Sequence, residues 1–341
     1  MMKAKPEDFD WNNLGFYYHD LPYRYHAEFK NGMWIGGLTE DSNLTFNEAA
    51  EDLHYGQEVF EGLKAYRTKD GHINLFRPEE NANRMFNSAK RMMMEPFPKD
   101  KFVEAVKQVV EANKDFVPPY ESGATLYLRP FLIGTQSLVG VSPSDTYIFR
   151  IFATPVGAYV NGLHPSAYTV SKYDRAAGRG TGQVKTAGNY AASLLPEIEA
   201  KKAGFADCLF LDPVEHKYID EFSGANFYGI TKEGQFVTPK SESILPSITK
   251  RSLLKIADEQ GLNPIETKIN INTDLDNLVE AGAMGTAAVI SPVGSLTYNN
   301  KKYVFHSETE AGPITTKLYN TLTGIQFGDL EDKYGWIDQV E

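Results

Sequence analysis

Apolar residues in the first half of the chain follow a helical spacing and then a strand-like one. After Pro78, the residues Ala82, Met85, Phe86 and Ala89 recur at i, i+3, i+4 and i+7, which predicts a helix with one core-facing stripe. Proline and acidic residues at its start suit a helix N-terminus. The other elements predicted in this half are a helix over 100–115 and strands over 124–133 and 145–154.

The second half continues the mixture of strands and helices. A strand-like run covers 167–172, and Phe205–Leu211 is a short apolar run typical of a buried strand. Between them, a helix is predicted over about 190–203, with its apolar residues gathered on one face. Helices and strands thus alternate rather than segregate.

Three later helix starts carry residues that suit a helix N-terminus. Ser247 is a suitable N-cap for a helix that ends at Gly261, and Thr273 for another that ends near Gly282. A last helix, over about 313–324, begins at Pro313, because proline suits the first turn.

The mixture of elements favours an α/β (α+β mixed) fold. A chain of 341 residues is long enough for two domains. The segment 155–162 has the proline and glycine spacing of a connection. We therefore predict a small N-terminal α/β domain over 1–156, an interdomain loop over 157–167 and a large C-terminal α/β domain over 168–341.

The amino-acid composition argues against several classes of function. The net charge is −11, and no basic cluster exceeds two residues, so nucleic acid is not an expected partner. The single cysteine, Cys208, excludes a disulfide framework and a cysteine-based zinc site, and no metal is expected. No apolar run resembles a signal peptide or a membrane span, so a cytoplasmic location without membrane contact is the expectation.

Lys185 lies in a glycine-rich stretch, between Gly178 and Gly188, directly before a predicted helix. Glycines allow the close approach of a flat ligand, and a lysine whose pKa is lowered is a good nucleophile toward aldehydes. From spacing alone, a solvated lysine on a surface loop is the more common case, because glycine-rich loops are common.

Two features could bind a phosphate. The turn that leads into the helix at Ile248 and Thr249 would present free N–H groups at the positive end of a helix dipole. Arg84 borders the apolar stripe of its helix, and an arginine fork matches a phosphate. Taken singly, ordinary helix capping and a solvated helix arginine are the more common explanations of these residues.

Three further sites could hold other parts of a ligand. A buried Glu221 would keep a heteroaromatic nitrogen protonated, although a plain turn acid is the commoner case. Tyr127 and Arg129 share one face of a predicted strand and could hold a carboxylate, unless that face is simply half exposed. The small residues around Thr286 and Ala287 could bring backbone N–H groups close to a ligand, or could reflect tight packing.

The order of these features along the chain is more specific than any one of them. Over about residues 15–330 the chain resembles a branched-chain aminotransferase of the fold-type IV pyridoxal-phosphate enzymes. The resemblance is carried by His54-Tyr55, Glu58-Val59-Phe60-Glu61-Gly62-Leu63-Lys64-Ala65-Tyr66, Leu75-Phe76-Arg77-Pro78, Asn83-Arg84-Met85, Leu126-Tyr127-Leu128-Arg129-Pro130, Pro155-Val156-Gly157-Ala158-Tyr159, Lys185-Thr186-Ala187-Gly188-Asn189-Tyr190, Leu245-Pro246-Ser247-Ile248-Thr249-Lys250-Arg251-Ser252-Leu253 and Gly285-Thr286-Ala287.

The resemblance implies a role for each matched position, and a two-domain fold of the D-amino-acid aminotransferase type with pyridoxal 5′-phosphate in the cleft between its domains. Lys185 matches the lysine that binds the cofactor covalently. The matched cofactor contacts are Tyr190 at the phenolic oxygen, Glu221 at the pyridine nitrogen, and Arg84, Ile248, Thr249 and Thr286 at the phosphate. The matched substrate contacts are Tyr127 and the Thr286–Ala287 backbone at the α-carboxylate, Arg129 at a second carboxylate, and Tyr55 and Tyr159 as aromatic walls.

The implied reaction is transamination between leucine, isoleucine or valine and 2-oxoglutarate, in a homodimer that binds only small molecules. In this reaction the Lys185 amine would act as the base at Cα. The nearest alternatives are a D-amino-acid aminotransferase and an aminodeoxychorismate lyase, and a further one is a non-catalytic binding protein.

Two positions depart from the family pattern. Relatives of the animal type carry a Cys-x-x-Cys pair where this chain has Ala288 and Ser291, so no thiol switch is expected. Many relatives have threonine where this chain has Gly224, which leaves the fine specificity open.

Overall fold

The computed structural model describes residues 3–157 and 162–340 and confirms the mixed α/β class. The described residues form two compact units, each built around its own sheet. The first comprises 3–157, 184–187 and 324–340, and the second comprises 162–183 and 188–323. Neither unit is one continuous stretch, whereas the sequence-based limits of 1–156 and 168–341 assume two continuous domains.

The helices and strands of the described residues have the following bounds. The strands are β1 (Arg24–Lys30), β2 (Met33–Thr39), β3 (Glu58–Phe60), β4 (Leu63–Arg67), β5 (Ile73–Phe76), β6 (Thr125–Gly134), β7 (Tyr147–Val156), β8 (Ser166–Val170), β9 (Asp207–Leu211), β10 (Ile219–Phe222), β11 (Asn226–Thr231), β12 (Phe236–Pro239), β13 (Ile265–Thr267), β14 (Leu278–Gly285), β15 (Val289–Tyr298), β16 (Lys301–Val304) and β17 (Ile337–Val340). The helices are α1 (Glu51–Tyr55), α2 (Pro78–Arg91), α3 (Lys99–Ala112), α4 (Ala187–Lys202), α5 (Ile248–Glu259) and α6 (Pro313–Phe327), with 3₁₀ turns at Pro6–Asp8, Lys114–Phe116, Tyr120–Ser122 and Leu275–Asn277.

The sheet of the first unit is antiparallel and runs β17-β5-β4-β6-β7-β1-β2, with β3 paired to β6. The long strand β6 alternates as predicted: Leu126, Leu128 and Leu132 lie in the core. Because successive side chains point to opposite faces, Tyr127 and Arg129 share the other face. Helices α2 and α3 contribute most of the remaining core, with Ala82, Met85 and Ala89 of the predicted α2 stripe fully buried.

The sheet of the second unit runs β10-β9-β8-β15-β14-β11-β12-β13, with β16 paired to β15. Its pairings are mixed: β8 lies parallel to both β9 and β15, whereas β14 is antiparallel to β11 and β15. The central strand β11 is buried along its whole length. This unit carries the predicted strands over 167–172 and 205–211 as β8 and β9.

One predicted helix is wrong. The sequence suggested a helix from Thr273 to about Gly282, but the chain forms a single 3₁₀ turn and then strand β14. Pairing with β11 and β15 on both sides supplies the backbone hydrogen bonds that a helix would otherwise have made. Local helix signals were overridden by this central position in the sheet.

The helix predicted over about 190–203 forms as α4, yet its apolar face is exposed. Leu194, Leu195 and Ile198 are each roughly half accessible, whereas Ser193 and Ala200 are buried. The regular apolar spacing therefore marks a solvent-facing stripe in the single chain. Within the described ranges, no helix combines the length and apolar character needed to cross a bilayer.

Candidate functional site

The backbone around Lys185 is fixed by contacts within the first unit. The Phe60 amide donates to the Lys185 carbonyl at 2.9 Å, and the Lys185 amide donates to the Ser88 hydroxyl at 3.4 Å. The Thr186 hydroxyl donates to the Glu58 carbonyl at 2.7 Å, and Val184 is buried in the core. These contacts hold residues 184–186 in place against β3 and α2.

The Lys185 amine is partly buried, which differs from a solvated loop lysine. Burial, and secondarily the positive charge of Arg84, lower the pKa of Lys185 to about 8. Its Nζ lies 4.5 Å from the centre of the Phe60 ring. A substantial fraction of this amine is therefore neutral near pH 7–8, as a nucleophile or a general base requires.

Arg84 is held by a buried carboxylate that the sequence analysis did not single out. Glu61 is completely buried, and its two oxygens accept from Nε and Nη2 of Arg84 at 2.7 and 2.8 Å. Asn81 donates to the same carboxylate at 2.8 Å. This bidentate pair fixes the plane of the Arg84 guanidinium, which lies close enough to Lys185 to lower its pKa.

Arg129 and Tyr127 lie side by side on β6, as predicted. Nη2 of Arg129 donates to the Tyr127 hydroxyl at 3.1 Å, and the Arg129 guanidinium lies 4.8 Å from the Phe60 ring centre. Gly62 makes room for that hydroxyl, because a side chain at Gly62 would collide with it. Among the described residues, Arg129 has no carboxylate partner. Its charge can therefore receive an anionic ligand.

The two aromatic walls suggested by the sequence are described only in part. Tyr55 ends α1, is 41% exposed, and donates its hydroxyl to the Val139 carbonyl. Tyr159 lies outside the described residues. Phe60 lies in one of the matched motifs, although no role was predicted for it. Its ring contacts both Lys185 and Arg129.

In the second unit, Glu221 is the centre of a buried polar cluster. Arg175 pairs with its Oε1 at 2.6 Å, and the Leu245 amide donates to the same oxygen at 3.0 Å. Asn226 donates to Oε2 at 2.7 Å. Burial raises the pKa of Glu221, and the Arg175 guanidinium opposes that rise. Arg175 and Asn226 were not singled out from sequence.

Arg175 also ties this cluster to two backbone segments. Its Nη2 donates to the carbonyls of Gly182 and Ser243, both at 2.9 Å. Gly182 is packed against Ser243 so closely that no side chain would fit there. A glycine is therefore needed at this position, because it allows the two backbone segments to approach each other closely.

The N-terminus of α5 forms as predicted. Ser247 is its N-cap, and its hydroxyl accepts from the Lys250 amide at 3.2 Å. Ile248 and Thr249 follow as the first two helical residues, and both are buried. The first N–H groups of a helix lack intrahelical partners, so this end is suited to an anion.

Thr286 and Ala287 lie in the turn between β14 and β15. The turn is enclosed by the pair Gly285 and Val289, and Val289 has φ of 55°, an unusual value for a β-branched residue. Close to this turn, Gly224 has open space where a side chain would begin. The threonine of many relatives would thus fit here, and this chain leaves that space vacant.

The structure assigns the remaining suggested residue, Tyr190, to the first turn of α4 in the second unit, where it is partly buried. The suggested residues thus fall into two groups. The first unit brings together Arg84, Tyr127, Arg129 and Lys185, and the second unit carries Tyr190, Glu221, Ile248, Thr249, Thr286 and Ala287.

Comparisons with known proteins agree with these features. The sequence model of the family described as amino-transferase class IV matches residues 58–296. The chain is 57% identical over 343 residues to a branched-chain-amino-acid aminotransferase of Haemophilus influenzae, covering 98% of this chain and 100% of that protein.

Solved structures give the same result. The Escherichia coli branched-chain amino acid aminotransferase superposes with a TM-score of 0.79 at 30% identity, covering 94% of this chain and 99% of that one. The T.th. branched-chain amino acid aminotransferase, described with pyridoxamine 5′-phosphate, superposes with a TM-score of 0.80 at 26% identity, covering 96% and 99%. On its sequence, over nearly its whole length, the chain belongs to the branched-chain aminotransferases of the class IV aminotransferase family.

Proposed function

We propose that this aminotransferase uses pyridoxal 5′-phosphate to exchange amino groups between leucine, isoleucine or valine and 2-oxoglutarate. The observation that carries the proposal is Lys185, whose backbone is held by hydrogen bonds and whose amine has a pKa of about 8. The names of the close relatives support the substrate class, and a pyridoxamine phosphate complex of a structural neighbour supports the cofactor.

The residues present fit this cofactor. Within the part of the chain that the structure describes, Glu221 accepts three hydrogen bonds from protein donors, of which only one, from Asn226, reaches Oε2. A carboxylate offers about four acceptor sites, so Oε2 has capacity for the N–H of a protonated pyridine ring. The family resemblance implies that Arg84, the N-terminus of α5 and Thr286 contact the phosphate and that Tyr190 contacts the phenolic oxygen.

When bound, the cofactor supplies the aldehyde that takes up the amino group and a ring that withdraws electrons from Cα. Glu221, in its ionised form, keeps the ring nitrogen protonated. Arg175 favours that ionised form, because its charge opposes the rise in pKa that burial causes. Lys185, once its amine is free, takes the proton from Cα of the substrate at Nζ.

In the first unit, the polar face of β6 would receive substrate carboxylates, with Tyr127 at the α-carboxylate and Arg129 at the second carboxylate of glutamate. The family resemblance implies a further contact of the α-carboxylate with the Thr286–Ala287 backbone. Phe60, Tyr55 and, by resemblance, Tyr159 would contact an apolar side chain. One site could thus accept both leucine and glutamate, because Arg129 can remain hydrated or stacked on Phe60 when leucine binds.

The central test is the position of the covalent adduct. Lys64, the other lysine whose pKa burial lowers to about 8, lies on β4 in the same unit. Borohydride treatment of the holoenzyme, followed by peptide mapping, should place the adduct on Lys185 and leave Lys64 unmodified. An adduct on Lys64, or none in cofactor-saturated protein, would refute the assignment.

Activity assays complete the test. Lys185→Ala should abolish transfer from L-leucine to 2-oxoglutarate, while far-ultraviolet circular dichroism stays unchanged. D-alanine should be inert as a donor with the wild-type enzyme, and preference for D-alanine would point to a D-amino-acid aminotransferase instead. The homodimer and the cytoplasmic location stay predictions, and sedimentation velocity would decide the first of these.

A further inference from the structure

Glu58 lies on the strand that carries the aromatic ring of the site. It is two residues before Phe60 on β3, so both side chains point to the same face. Strand β3 pairs with β6, where Phe60 lies opposite Phe131 and Glu58 opposite Ile133. Glu58 therefore lies beside Phe60, whose ring contacts both Lys185 and Arg129.

The Glu58 carboxyl is in an unusual electrostatic position. It is partly buried, and among the described residues it makes neither a hydrogen bond nor an ion pair through its side chain. The charged groups that act on it from neighbouring elements are Asp52 on α1 and Arg129 on β6. Burial and then Asp52 raise the pKa of Glu58 to about 7, and Arg129 opposes the rise.

This carboxyl therefore changes charge near neutral pH, within electrostatic reach of an arginine that has no carboxylate partner among the described residues. An ionised Glu58 would repel a ligand carboxylate at Arg129, and a neutral one would not. The apolar side chain of a branched-chain substrate carries no charge, so its binding would not depend on the charge of Glu58.

We propose that Glu58 is a specificity-determining residue, which favours binding of a second substrate carboxylate at Arg129 when Glu58 is protonated and disfavours it when Glu58 is ionised. The inference rests on the proposed function, in which Arg129 receives the side-chain carboxylate of glutamate. With Glu58 in this role, the preference of the enzyme for a dicarboxylic over a branched-chain substrate depends on pH.

The test compares L-glutamate with L-leucine as amino donors in single-turnover experiments with the holoenzyme from pH 6 to 8.5. Both donors react through the same half-reaction, so the ratio of their kcat/KM values cancels effects common to the two. In the wild type, the glutamate-to-leucine ratio should fall about three- to tenfold as pH rises through 7, the size expected for a nearby like charge in a partly hydrated site. Cofactor absorbance confirms that each variant is folded and loaded.

Two substitutions separate Glu58 from other titrating groups. In Glu58→Gln the ratio should stay at its low-pH value throughout the range, because no charge can develop there. In Asp52→Asn the fall should persist with its midpoint moved to lower pH, because Asp52 raises the pKa of Glu58. Glu121→Gln, an exposed carboxyl in the same unit, is the matched control and should keep the wild-type profile.

The outcomes distinguish a failure of the proposed function from a failure of the role of Glu58. Absence of L-leucine transamination in the wild type would overturn the proposed function itself. With leucine active, a wild-type ratio that does not vary with pH, or the same fall in Glu58→Gln, would overturn the role of Glu58 and leave the proposed function intact.

Discussion

At the scale of single residues, the buried carboxylates depend on partners that lie far along the chain. Glu221 is 3% exposed, and its ion pair with Arg175 opposes the rise in pKa that burial causes. Removing one partner of a buried pair leaves an uncompensated charge, which is more damaging than losing the pair together. Arg175 is therefore a positioning residue that acts through Glu221.

Arg175→Gln should destabilise the protein and weaken cofactor binding. Loss of a partner from a buried ion pair costs about 3–5 kcal/mol. The pKa of Glu221 should rise further, because the opposing charge of Arg175 is lost, and the carboxylate should favour a protonated ring nitrogen less strongly. Urea unfolding of the apoenzyme would measure the first effect, and titration with pyridoxal phosphate the second.

Two comparisons make this prediction specific. The double variant Arg175→Gln/Glu221→Gln should regain most of the lost unfolding free energy, because it removes the stranded charge. Arg179→Gln changes an exposed arginine four residues away and should behave as the wild type. A double variant no more stable than Arg175→Gln would contradict the charge argument.

The sequence suggests site residues where they lie within recognisable motifs, and the structure adds the residues that contact them. Lys185, Arg84 and Tyr127 could be proposed because each lies in one of the ordered motifs. Arg175 lacks such a pattern, and its role depends on a contact with a residue distant along the chain. Pairings of that kind follow from the tertiary fold, which a single sequence does not display.

At the scale of elements, three helix starts with a local sequence signal formed as predicted, whereas the one at Thr273 did not. Ser247 caps α5, and α2 and α6 begin at Pro78 and Pro313 as expected. The start of α6 is also held from a distance, because the Glu280 carboxylate on β14 accepts from the amides of Ile314 and Thr315 at 3.0 and 2.7 Å. Glu280 lies where the sequence wrongly suggested a helix, so its role as a remote cap could not be foreseen.

Ser247→Ala should destabilise α5 and its anion-binding end together. Loss of an N-cap hydroxyl costs about 1 kcal/mol. Because the same helix end would hold the phosphate, the dissociation constant for pyridoxal phosphate should rise in parallel. Equilibrium unfolding and cofactor titration measure the two effects. Ser247→Thr keeps an oxygen at the cap and is the matched control; equal losses in both variants would rule out the capping explanation.

At the scale of the whole molecule, the fold class could be predicted from the sequence. Which segments of the chain form each of the two sheets could not. Alternating helices and strands indicated α/β, and the family resemblance indicated two domains. The return of residues 324–340 to the first unit was not indicated, because β17 is short and its pairing with β5 joins Ile337 to Phe76. Such a long-range pair leaves no local periodicity.

Deletion of residues 337–341 should lower the thermal stability of the first unit and promote aggregation. Strand β5 is buried along its length and would lose its edge partner, exposing unpaired backbone groups. Each lost ladder hydrogen bond contributes about 1 kcal/mol. Thermal unfolding followed by light scattering would detect both effects. Gln339→Ala keeps the strand and should match the wild type, whereas full stability after the deletion would show that β17 is dispensable.

The same pairing has a consequence for how the protein is made. A ribosome synthesises β5 long before β17, so the edge of β5 remains uncovered while every residue of the second unit is added to the chain. Throughout that interval the open edge can pair with other nascent strands. The last strand of the first sheet can therefore be added only after the second unit has been translated, although most strands of that sheet are synthesised much earlier.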